Sequence, residues 1–109
     1  MVNQISLDAW QIQHLSELLE KGSNIVAKTN KPIVLYRQTL EEEDDYYEEI
    51  VCTLTKRHVI EQMVTSGGIL VPSFQQQFVF TIEEYPQELL RKSQDRFLEM
   101  IDFLEEQLR

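Results

Sequence analysis

Apolar residues in the first part of the chain recur with a helical period: Ile12, Leu15, Leu18 and Leu19 share one broad face, with Leu7 and Trp10 at its margin. Ser6 stands ahead of that face as a candidate N-cap, and Lys21-Gly22 follows it as a stop signal. The pattern predicts a helix over residues 6–21 with Trp10 turned into the core. Two β-prone runs come next, Ile25 to Thr29 and Ile33 to Thr39, separated by Asn30-Lys31-Pro32. Asparagine tolerates a turn and proline fixes the entry to the following strand, so the two runs read as a hairpin.

Farther along, the period is ambiguous. Tyr47, Ile50, Val51 and Leu54 have helical spacing, whereas Ile50, Cys52 and Leu54 alternate with Val51, Thr53 and Thr55. The β-branched content favours a strand over residues 47–54. Thr55 then reads as the cap of a short helix carrying Val59, Ile60, Met63 and Val64, ended by Ser66-Gly67-Gly68. After the Ile69-Leu70-Val71 run and Pro72, Phe74, Gln76, Phe78, Phe80 and Ile82 alternate with Gln75, Gln77, Val79 and Thr81. That alternation predicts a central strand with Phe78 and Phe80 in the core. The chain closes on a helix from Pro86 to Leu108, where Leu90, Phe97, Ile101, Leu104 and Leu108 form a heptad-like stripe.

These elements predict an α+β fold: a small antiparallel sheet of about four to five strands with two to three helices packed on one face. A closing helix of this length spans about 34 Å at about 1.5 Å per residue, more than a small sheet covers. Part of its stripe is then left for a second subunit, and a homodimer through the C-terminal helix is expected.

Composition narrows the picture. With 109 residues and 42% apolar content the chain can bury one core, and three glycines and three prolines leave no linker to divide it, so residues 1–109 are expected to form a single domain. No apolar run is long enough for a membrane span, and Met1-Val2-Asn3-Gln4 lacks the basic cap of a secretory signal. A lone cysteine, Cys52, makes no internal disulfide. The expected setting is cytoplasmic, with no membrane partner.

The formal charge of −9 is concentrated. Residues 41–49 hold seven carboxylates and no base, and residues 83–109 hold eight acids against four bases. Phosphate repulsion disfavours a nucleic-acid ligand, while a basic or apolar protein partner is favoured. The run Glu41, Glu42, Glu43, Asp44, Asp45, Tyr46, Tyr47, Glu48 and Glu49 is accordingly the candidate partner-binding surface, able to mimic phosphates toward a basic protein or to grip arginines. Its bland alternative is a solvated loop between strands.

Candidate chemistry is sparse. Cys52 is followed by Lys56-Arg57-His58, but in a strand those bases lie beyond its end, and a small buried apolar residue is the better account. His14 and His58 have no second histidine or cysteine at metal-ligand spacing. Phosphate-cradling glycine motifs, a nucleophile elbow and a paired-histidine zinc motif are missing from the sequence, and Gly67-Gly68 reads as a turn. No catalytic residue, cofactor or metal is expected.

The stretch His14-Leu-Ser-Glu-Leu-Leu-Glu-Lys-Gly22, followed by Asn24-Ile-Val-Ala-Lys-Thr-Asn-Lys-Pro-Ile-Val-Leu-Tyr36, resembles the opening of the prevent-host-death antitoxins. There a helix leads through glycine into a hairpin with a Lys-Pro turn. Membership would imply a DNA-binding dimer whose C-terminal part masks a toxin. The likeness stops at Tyr36, departs in spacing before the hairpin, and does not include the phenylalanine-rich strand. Element order and acidity are also similar to those of small dimeric secretion chaperones. The expected function is a non-enzymatic, dimeric, acidic masking protein of the antitoxin, immunity or chaperone kind; the alternatives are a DNA-binding antitoxin-type regulator and a small enzyme.

Overall fold

The computed structural model describes residues 7–41, 45–56, 58–69 and 72–109. Its elements are α1 (Leu7–Thr29), β1 (Ile33–Glu41), β2 (Tyr47–Lys56), β3 (Val59–Gly67), β4 (Phe74–Thr81), α2 (Glu84–Lys92) and α3 (Gln94–Gln107). The strands form one antiparallel sheet in the order β1-β2-β3-β4, and all three helices pack on it. The α+β expectation holds.

Helix α1 runs through Lys21-Gly22 and takes up the segment expected to be the first strand of a hairpin. A glycine inside a helix costs about 1 kcal/mol, but this one lets the helix lie close on the sheet. A Cβ at Gly22 would stand 3.1 Å from Leu54 Cδ2 and 3.7 Å from Ile33 Cδ1. The next residue, Ser23, is fully buried and accepts a 2.7 Å bond from the backbone N–H of His58, whose φ of 66° makes the β2–β3 turn. The helix ends at Asn30, where a left-handed φ of 58° and a 2.8 Å bond to the Val26 carbonyl form the cap. With residues 25–29 helical, the Lys-Pro hairpin of the antitoxin resemblance is missing.

The segment expected as a short helix after Thr55 is strand β3, paired with β2 from Tyr47↔Gly67 to Lys56↔Val59. Val59, Ile60, Met63 and Val64 fit either period, and neighbouring strands on both sides decide the outcome. Leu70 and Val71 of the Ile69-Leu70-Val71 run lie outside the described residues. Strands β2 and β4 stand where the alternation placed them. Strand β4, however, is an edge rather than a centre, and Phe78 remains 38% exposed.

The closing helix is broken at Ser93, whose extended backbone (φ −157°, ψ 106°) separates α2 from α3. Its hydroxyl accepts a 3.2 Å bond from the Arg96 N–H and caps α3. The stripe on α3 is consumed within the chain: Phe97, Ile101 and Leu104 are buried, with Leu90 and Leu108 packed against the same core. No spare length of stripe is left for a second subunit, which removes the reason for expecting a dimer there.

One core unites Leu15, Leu18, Leu19 and Val26 of α1, Leu35, Cys52, Leu54 and Ile60 of the sheet, and Tyr85, Leu89, Phe97, Met100, Ile101 and Leu104 of the last two helices. A bulge between Val34 and Tyr36 turns both Leu35 and Tyr36 toward the helices. Trp10, expected in the core, is 59% exposed on α1.

Candidate functional site

Strand pairing arranges the helix-side face of the sheet in rows. Nearest the core, Ile33, Leu54, Ile60 and Phe80 lie side by side, followed by Tyr36, Cys52, Gln62 and Phe78. Beyond them come Gln38, Ile50, Val64 and Gln76, then Leu40, Glu48, Ser66 and Phe74. The helices lie over the first two rows: α1 closely approaches Ile33 and Leu54 at Gly22, α2 meets Phe80 and Cys52 through Tyr85, and α3 reaches only Tyr36 and Gln38 through Arg96. The sheet therefore outruns its cover. Leu40, Phe74 and Phe78 are left exposed at 48%, 57% and 38%.

Where the sheet emerges from under α2 and the start of α3 there is a hollow of about 180 Å³. Tyr36, Gln38, Ile50 and Gln62 form its floor, and Tyr85, Glu88, Lys92 and Arg96 stand in its wall. Small-molecule sites run to about 300–1,000 Å³, and this hollow is smaller, a socket about the size of one side chain. Arg96 is fixed there: its guanidinium lies 4.2 Å above the centre of the Tyr36 ring and donates a 2.6 Å bond to Gln38 Oε1. Glu88 takes hydrogen bonds from Arg91 and sits 3.4 Å from Lys92, and these cations hold its carboxyl below the ordinary value. Two wider depressions, of about 330 and 400 Å³, are each lined by side chains of a single helix, α1 around Trp10 and α2 around Gln87. Neither brings groups from two elements together.

Beneath the socket, Cys52 Sγ donates a 3.2 Å bond to the Tyr85 hydroxyl, and Tyr85 hydrogen-bonds in turn to Tyr36. Burial pushes the Cys52 thiol up to about 11 and raises both tyrosines above their ordinary value. A thiol protonated at neutral pH and fully buried is a packing group, as the sequence indicates.

The acidic run is only partly a loop. Glu41 ends β1, Asp45 makes a left-handed turn with φ 58°, and Tyr47, Glu48 and Glu49 belong to β2; Glu42, Glu43 and Asp44 lie outside the described residues. Tyr46 is half-buried. Strand alternation sends Glu48 to the helix-side face, between Leu40 and Ser66, and Glu49 to the opposite face, between Thr39 and Thr65. The run thus splits into a rim on two faces. On the opposite face Val34 and Val79 stay 45% and 59% exposed, in a row with Thr53 and Glu61.

The histidines serve the framework. His14 Nε2 lies 2.9 Å from Glu105, joining α1 to α3, and His58 Nδ1 lies 3.1 Å from Glu20. Among the described residues no group of three or more potential ligands is placed to hold a metal ion, and no helix is long and apolar enough to cross a membrane. Sequence reasoning missed Tyr85, Tyr36 and Arg96, which belong to no periodic stripe. It missed Leu40 for a different reason, because the resting place of the helical cover is not written in the strand it leaves bare. No family model, curated protein or solved structure matches this chain.

Proposed function

We propose that this chain is a non-enzymatic protein-binding module that seats a basic, amphipathic helix of a partner protein on the uncovered half of its sheet. The carrying observation is the exposure of Leu40, Phe74 and Phe78 on one face whose nearest carboxylate is Glu48. The two outer rows across four strands measure roughly 14 Å across the strands and 7 Å along them, which fits a helix of about 10 Å diameter laid across the strands for two to three turns. The socket beside Arg96 takes one anchoring side chain, and Glu48, on the same face between Leu40 and Ser66, favours a lysine or arginine on the incoming helix. Masking a partner in a cytoplasmic setting, as an antitoxin, immunity protein or chaperone does, is the role consistent with this surface.

The test is affinity capture from the native host with wild type and with the double variant Leu40→Ser/Phe74→Ser, both confirmed folded by circular dichroism. A partner held by wild type and lost by the variant is expected. A partner held equally by both places the binding surface elsewhere on the protein.

A further inference from the structure

The two edges of the sheet are built differently. Strand β1 is guarded: a bulge interrupts it between Val34 and Tyr36, Arg37 and Glu41 place charge on it, and α3 reaches it through Arg96 and Gln38. Such devices are how natural proteins keep edges from pairing. Strand β4 has neither bulge nor charge, and α2 meets it only at its last two residues, through Phe80–Tyr85 and Thr81–Glu84. Phe-Gln-Gln-Gln-Phe-Val-Phe-Thr contains no charge, no proline and no glycine, pairs with β3 in an unbroken register, and is exposed at every residue except Phe80. Its outer N–H and C=O groups form a straight, eight-residue template.

From this asymmetry we infer that β4 pairs with β4 of a second copy, antiparallel about a two-fold axis, joining two sheets into one of eight strands. Charge selects the second copy as occupant. In a chain of net charge −9, most contacts between copies bring carboxylates together. Of the four strands only β4 has no ionisable side chain, so two copies meet there with the least repulsion. The nearest strand carboxylate, Glu61 on β3, would stand at least three strand spacings, roughly 14 Å, from its symmetry mate, beyond the screening length of about 8 Å at physiological salt.

Keeping the helices of both copies on the same side restricts the register to pairs of like facing. The pairing that engages Phe74 through Phe80 centres on Gln77, opposite itself. Phe74 then lies beside Phe80 of the second copy, an aromatic cross-strand pair of the stabilising kind, and Gln76 lies beside Phe78. The guarded β1 edge ends the assembly at two chains, a closed two-fold dimer.

The experiment measures the mass of the full chain by light scattering and analytical ultracentrifugation. Wild type is expected at twice the 12.9 kDa chain mass. Gln77→Lys and Gln77→Glu, which place like charges directly opposite across the axis, are each expected to be monomeric with unchanged circular dichroism, and an equimolar mixture of the two to recover the doubled mass. Gln77→Cys should cross-link under mild oxidation, since paired Cα atoms lie about 4.5–5.5 Å apart, within disulfide reach. Gln75→Cys should not, being about 14 Å from its mate at about 3.4 Å per residue. A monomeric wild type, a doubled mass that survives Gln77→Lys, or equal cross-linking at both cysteine positions would overturn the inference.

Discussion

Cys52 on β2 and Tyr85 on α2 meet at 3.2 Å in the middle of the core, a hydrogen bond with the sheet on one side and a helix on the other. Both groups are held neutral by burial, and Tyr36 shares the arrangement. The unfolded chain releases these protons near the ordinary values of 9.0 and 10.0, while the folded chain retains them to higher pH. The folded state therefore binds more protons above pH 9.0, and stability must fall as pH rises. Melting temperature is expected to be unaffected by these groups at neutral pH and to drop between pH 9.0 and about 11, less steeply in Tyr85→Phe. Thermal melts across that range check it; a flat profile would show that the core tyrosines and thiol are not buried as described.

Gly22 should tolerate no large side chain. With a Cβ already 3.1 Å from Leu54 Cδ2, the branched side chain in Gly22→Val has to displace the sheet or the helix. A loss of about 1–3 kcal/mol is expected, the usual cost of overpacking. Urea unfolding measures it, and a variant at wild-type stability would mean that α1 lies farther from β2 than it does here.

Two phenylalanines should separate cleanly. Phe97 is fully buried between helices and sheet, and its truncation to alanine should cost about 3–5 kcal/mol. Phe78, although part of the best alternating strand in the sequence, lies on the edge at 38% exposure, and Phe78→Ala should cost less than about 1.5 kcal/mol. Equal losses in the two variants would contradict the edge position of β4.

Ser93→Ala removes the side chain that accepts from Arg96 N–H at the start of α3. The expected loss is about 1 kcal/mol, with Ser93→Asp close to wild type because its carboxylate caps as well and faces a helix N-terminus. Paired thermal melts of the two variants distinguish a capping role from simple packing, which aspartate would disrupt.

Much of this fold is legible where one period dominates. Strand β4 shows itself through alternation, and the buried face of α1 through Leu15, Leu18 and Leu19. The errors share a cause in tertiary context. Gly22 reads as a helix stop because a sequence cannot show that Leu54 needs the space, and the cap that does end α1 is Asn30. Val59 to Val64 fit a helix until β2 and β4 flank them with hydrogen-bonding partners. The single long helix from Pro86 conceals Ser93, since a serine caps a helix only if its own backbone is extended. For the candidate site, the acidity is plain in the composition. The bare apolar face is not, because it results from where the helices come to rest on the sheet, which is set by tertiary packing.

The tips of the two hairpins are interlocked at Gly68, where a Cβ would fall 2.9 Å from the Asp45 carbonyl oxygen and 3.3 Å from Tyr46 Cα. Hairpin tips ordinarily drift in length and sequence with little consequence. Here Gly68 has room for no side chain, so Gly68→Ala would have to push back the Asp45–Tyr46 backbone, and a substitution at one tip is expected to be felt at the other.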